Sequence, residues 1–304
     1  MISQRNGLLD VLRFVAALGI VFFHLKVPGS ILGLSALSFF TVVMCYFAAS
    51  STTEESFQGI FKKLTVRLCW PWLIWSAIYI LAKLTNAFVD SASYRSEFES
   101  WMWWTGPSVH LWFLPFAFTV SLLIYQLLAP IQLSDRMYWG FAAAIVPLCL
   151  ICFFVVELKF LNIPWVQWVS VLPAAAVGVA LAAARNQTNR IIALMIAISI
   201  AFYGTQLDHL QLLSLQFYLG TLLAIFGTML NLRSTRFTSW LGSISLGVYL
   251  AHPLCSAALV HIFSLQNVWL VLAGTIVLSM ILAEVYRRFE NSWRVSPKFQ
   301  TVER

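Results

Sequence analysis

Two residues in the first apolar stretch have side chains that chemistry can use, Arg13 and His24. At 100° per residue His24 returns to within about 20° of the face of Arg13, about 16 Å further along a helix. One stripe thus carries a guanidinium near one end and an imidazole near the other. Ionisable groups inside an apolar span are expensive and mark functional positions. The plainer alternative pairs Arg13 with Asp10 one turn away and leaves His24 as an interfacial residue. Three further cations, Lys62, Lys63 and Arg67, precede another apolar run. They suit a polyanion, or are ordinary topology-setting charges. Imidazole titrates near working pH and suits proton transfer. Four of the five histidines, His24, His110, His209 and His261, map to one level of the expected helices, as do Glu157 and Asp208. His252 is expected at mid-membrane, with Tyr249 one turn and Ser245 two turns before it. That column lines a channel or forms a hydrogen-bond network between helices. Trp112 packs beside such a site or fills core. No metal-ligand spacing, Gly-rich phosphate loop or Gly-x-Ser-x-Gly elbow is present.

The elements that must position these groups follow from composition. The 304 residues are 60% hydrophobic and 10% charged, with a mean hydropathy of +0.82. A water-soluble fold of this size would lack polar residues to cover its surface, whereas lipid accepts an apolar exterior. Apolar windows long enough for spanning helices fall near 8–25, 31–50, 68–88, 111–130, 138–157, 166–184, 190–207, 212–230, 241–263 and 268–286. The chain reads as an all-α integral membrane protein of about ten helices in one domain, 1–304. The first run carries Asp10 and Arg13 and lacks a small-x-small exit, so it is expected to stay as a helix, extended into its flanks, rather than be cleaved.

The net charge of +7 does not point to nucleic acid, because the nineteen Lys and Arg sit in short segments between apolar runs. With the N-terminus inside, fourteen of them, including Arg5, Lys62, Lys63, Arg67, Arg190, Arg233, Arg236, Arg287 and Arg288, fall on one side; only Lys26, Arg95 and Lys159 fall on the other. That bias places both termini in the cytoplasm. Trp101, Trp103 and Trp104 end the longest outer loop, at the headgroup layer or along an acceptor groove. The five cysteines all lie in apolar runs, and the Cys149-x-x-Cys152 pair reads as packing rather than redox chemistry.

The segment LLDVLRFVAALGIVFFHL resembles the opening helix of the membrane acyltransferase-three family, whose hallmark is an Arg and a His separated by ten residues, as Arg13 and His24 are. Four more segments resemble the family in the same order: FFTVVMCYFAAS (39–50), KKLTVRLCWPWLIW (62–75), HLWFL (110–114) and SLGVYLAH (245–252). The chain departs from the family pattern at Met44-Cys45, where Ser-Gly is usual, and at Leu64, the first place of an Arg-x-x-Arg that here keeps only Arg67, with Lys63 beside the gap.

The resemblance implies transfer of an acyl group, usually acetyl from acetyl-CoA, to a hydroxyl of a cell-envelope carbohydrate or glycolipid, in a bacterial cytoplasmic membrane and with no permanently bound cofactor. It implies His24 as general base, with Glu157 and Asp208 as candidate carboxylate partners. Arg13, Lys62, Lys63 and Arg67 would hold the donor, and His110, Trp112, Ser245, Tyr249 and His252 would line the acceptor path. A transporter or flippase of lipid-linked sugars would also need ten helices and buried charge. It would be expected to show paired Gly/Pro-interrupted helices, and none are seen. A non-catalytic membrane scaffold is the third alternative. It would leave conservative changes at Arg13 and His24 without effect beyond stability.

Overall fold

A computed structural model describes residues 5–50, 56–89, 97–128, 135–184, 187–206 and 210–294. Ten apolar helices follow one another through them. They are α1 (Gly7–His24), α2 (Ser35–Ser50, entered by a 3-10 turn at Ser30–Leu34), α3 (Phe57–Leu64, Thr65–Cys69 and Trp70–Val89, run together) and α4 (Phe113–Leu128). Then come α5 (Asp135–Glu157), α6 (Trp165–Ala183), α7 (Thr188–Gly204), α8 (Gln211–Met229), α9 (Arg236–Ala257, continued by a wider π turn at Ala258–Ile262) and α10 (Val268–Arg294). Nine are long and apolar enough to cross a membrane, and α7 is a shorter apolar helix. Leu81, Ile151, Phe154 and Ile196 are among many large apolar side chains left exposed on them, the surface that lipid rather than water tolerates. The chain is an all-α integral membrane protein.

Three expected boundaries need correction, and the simplest is the last helix, which runs to Arg294 instead of 286. The first helix does not extend into its flanks, because Asn6 caps it, accepting from the Leu8 and Leu9 amides at 3.0 and 3.3 Å. The third begins at Phe57 instead of 68. Ser56 caps its first turn by accepting from the Gly59 amide at 3.2 Å, and the helix then widens into a π turn over Thr65–Cys69. The physical reason lies just beyond. Pro71 offers no amide to the Arg67 carbonyl and its ring crowds that oxygen, and a π turn makes the room.

The helices pack as two compact units, one of residues up to Ala36 with those from Phe226 onward, the other Leu37–Ile225. In the first unit α1 and α10 both pack on α9. Small residues set the spacing, as expected where lipid supplies no hydrophobic drive. A β-carbon at Gly247 would lie 2.6 Å from that of Ala283 on α10. In the second unit α2, α4 and α6 share a core of Cys45, Ala49, Ile124, Leu128, Ala175 and Val179, and α5 packs on α6 and α7. All five cysteines are free, and Cys149 and Cys152 are buried, as packing residues should be.

Gly242 on α9 has the strictest demand. An added β-carbon would sit 2.6 Å from the Asp10 carboxyl carbon, and Asp10 is 1% exposed. Gly242→Ala is therefore expected to destabilise the protein by about 1–3 kcal/mol through overpacking. Gly140→Ala, where the added methyl meets open space, should be neutral or slightly stabilising. Thermal unfolding in detergent of the two variants beside the parent checks this, and equal melting temperatures would dismiss the close approach.

Candidate active site

Within the first unit, α1 and α9 start at the same end and carry the chemistry-bearing residues along their contact. The Asn6 side chain donates to the Gly227 and Leu230 carbonyls at 2.9 and 2.8 Å, and the Gly7 amide donates to the Leu232 carbonyl at 2.8 Å. On α9, Thr235 and Thr238 close a reciprocal capping box. One turn into α1 the buried Asp10 carboxylate accepts from Arg5 at 2.5 and 3.2 Å, and Arg13 lies 3.7 Å from it. The expected Arg13–Asp10 neighbourhood exists, but Arg5 is the closer partner.

At the other end of α1 the exposed His24 ring lies 5.1 Å, centroid to centroid, from His252 of α9. His252 is 1% exposed. The expected difference in level between His24 and His252 is corrected: one ring contact puts them at the same level. What fixes His252 is its neighbour. Pro253 has no amide proton to give the Tyr249 carbonyl four residues back, and His252 Nδ1 meets that oxygen at 2.7 Å. A carbonyl can only accept, so Nδ1 carries the proton and, in the neutral ring, Nε2 is the acceptor. A proline inside a helix thus selects a histidine tautomer. The Tyr249 ring is buried 6.2 Å from that of His252, and Ser245 donates to the Gly242 carbonyl of its own helix at 2.9 Å. The expected column on α9 is real as a face, and these two bonds stay inside the helix.

The other site residues belong to the second unit. Lys62 and Lys63 end the first piece of α3, and Arg67 stands exposed in its π turn, so Lys63 and Arg67 lie about one turn apart. His110 is buried, with Nδ1 2.9 Å from the Ser108 hydroxyl and the Tyr79 ring edge-on at 5.1 Å. Trp112 is also buried, in a cluster with Phe116 and Val171, which favours core filling. Glu157 ends α5 half-buried, with no polar partner among the described residues. Asp208 and His209 lie outside the described residues, as does Arg95. No cluster of three metal-ligating side chains occurs among the described residues.

Three participants were missed from sequence. Pro253 follows His252 directly, and a proline four residues after a carbonyl was the available signal; Arg5 lies five residues before Asp10, outside the helix whose period linked Asp10 to Arg13. The third, Glu284 on α10, accepts from Trp240 at 3.0 Å and from Arg287 and Arg288 at 2.8 Å; nothing in the local sequence marks its partner on α9.

An exposed imidazole beside a buried one of fixed tautomer, with an arginine on the same stripe, is an arrangement able to move a proton. No curated protein and no solved structure gives a significant match. The profile of the acyltransferase-3 family, described as an acyltransferase domain, matches residues 6–286. Those limits take in most of both segments of the first unit and all of the second, so the chain belongs to the acyltransferase-3 family and is a membrane acyltransferase.

Proposed function

We propose that the protein transfers an acyl group, acetyl in the first instance, from cytoplasmic acyl-CoA to a hydroxyl of a cell-envelope carbohydrate or glycolipid. The observation that carries this reading is the His24–His252 contact at 5.1 Å in a chain of acyltransferase type. Direct transfer balances simply. The hydroxyl oxygen attacks the thioester carbonyl and its proton passes to His24; the tetrahedral intermediate then expels the CoA thiolate, which takes the proton back from His24. His252 is a positioning residue in this scheme, its ring 5.1 Å from that of His24 and its tautomer set by the Nδ1 bond to the Tyr249 carbonyl. Glu157 and Asp208 stand as the candidate carboxylates. Lys62, Lys63 and Arg67 are assigned to the donor phosphates, which suit guanidinium and ammonium donors.

The bias of Lys and Arg toward one side supports a cytoplasmic donor side and cytoplasmic termini, and this reading puts the protein in a bacterial inner membrane. His110, Trp112, Ser245 and Tyr249 are the acceptor-side candidates. Sealed vesicles of known orientation test the reading. With labelled acetyl-CoA on one face and an impermeant glycan acceptor on the other, label is expected to reach the glycan only when acetyl-CoA is on the cytoplasmic face. Failure of any envelope glycan to take label from either arrangement would overturn the assignment of donor and acceptor.

A further inference from the structure

We infer that the first unit carries a second anion site, built for a phosphate group, at the end where α1 and α9 begin. A hollow of about 560 Å³ there is lined by Arg5, Arg236 and Arg287, with the hydroxyls of Ser239 and Ser243 among its walls. Two of the guanidiniums are held in place from behind. Arg5 uses Nε and Nη2 on Asp10 and the Ser239 carbonyl, and Arg287 uses Nε and Nη2 on Glu284. In each, Nη1 has no protein partner among the described residues, nor does any nitrogen of the exposed Arg236.

The two carboxylates do not neutralise the hollow, because each is shared. Asp10 serves Arg5 and Arg13, and Glu284 serves Arg287 and Arg288. Among the described residues three guanidiniums, Arg5, Arg236 and Arg287, line the hollow and no carboxylate does, so its wall is positive. Topology alone asks only for positive charge, which lysine supplies as well. Rigid guanidinium forks with free donors can grip phosphate oxygens bidentately, which a point ammonium does not. A phosphate group can reach this face from two sources, a soluble phosphorylated nucleotide or an anionic phospholipid headgroup.

The test uses the full chain in nanodiscs and reads binding, so it does not depend on transfer activity. Arg236 touches no other residue by a polar contact among those described, so Arg236→Ala and Arg236→Glu should melt with the parent. In phosphatidylcholine discs, coenzyme A is titrated by calorimetry. In discs doped with phosphatidylglycerol, retained lipid is counted by native mass spectrometry. The site predicts that one of the two ligands binds about tenfold more weakly to Arg236→Ala, the loss of about one charge-assisted bond, and weaker still to Arg236→Glu. A change in the coenzyme A arm assigns a soluble phosphoryl ligand, and a change in the lipid arm assigns a headgroup. If neither arm responds to either variant, the hollow binds no phosphate and the inference is overturned. Arg67→Ala runs beside them: loss of coenzyme A binding there, with both arms unmoved at Arg236, would leave the proposed donor site standing while removing this one.

Discussion

His24→Ala is expected to lower acyl transfer by about 10²–10⁴-fold, the usual cost of a lost general base, in a protein that still inserts and purifies. The expectation of intact folding comes from the position. His24 is the exposed last residue of α1 and among the described residues its ring contacts are with Phe23 and His252, so truncation opens no core cavity. The loss should fall on kcat, because a base acts in the transition state rather than in ground-state binding. His24→Gln separates chemistry from contact, since an amide keeps the hydrogen-bonding bulk but cannot take a proton in this range. It should be nearly as inactive as the alanine. Activity within a few-fold of the parent in both variants would remove His24 from proton transfer and return it to an interfacial role.

Much of the architecture was legible because the bilayer imposes a length on every span. Each of the ten hydropathy windows corresponds to a helix, and the windows erred at ends governed by side-chain caps and turns, at Asn6, Ser56 and the Thr65–Cys69 turn. The Arg13–His24 stripe was legible for a related reason: both residues are on one helix, where the period fixes their faces. Partners on different helices leave no such trace. Nothing in the spacing of His24 and His252 announces that their rings meet, and Glu284 finds Trp240 only because α9 and α10 pack together. Family resemblance supplied the pair as separate motifs without the contact. Periodicity put Ser245, Tyr249 and His252 on one face, but could not say that His252 turns back to its own backbone. That depends on a carbonyl left bare by the next residue.

Replacing Pro253 is expected to raise stability and lower activity together. An interior proline costs a helix about 3 kcal/mol, so Pro253→Ala should melt higher, by part of that amount because α9 has already adapted to the ring. The new amide at 253 would then compete for the Tyr249 carbonyl, which His252 Nδ1 now occupies at 2.7 Å. Freed from that bond, the ring can put its proton on either nitrogen, and the fixed Nε2 acceptor is lost for part of the population. Turnover should fall by about tenfold, with a shifted pH–rate profile, because the base it positions has changed surroundings. His252→Asn and His252→Gln dissect the same device. Asparagine's amide can still donate to a nearby backbone oxygen but offers nothing where Nε2 stood, so transfer should drop by about 10²-fold with the fold kept. Glutamine can bring a carbonyl oxygen near the Nε2 position and should recover part of that loss. A purely structural histidine predicts another pattern, in which both amides lose stability and activity in proportion and the pH profile does not move. If Pro253→Ala proves more stable, fully active and unchanged in its pH profile, the proline does not set the state of His252, and His24 must be oriented by some other group.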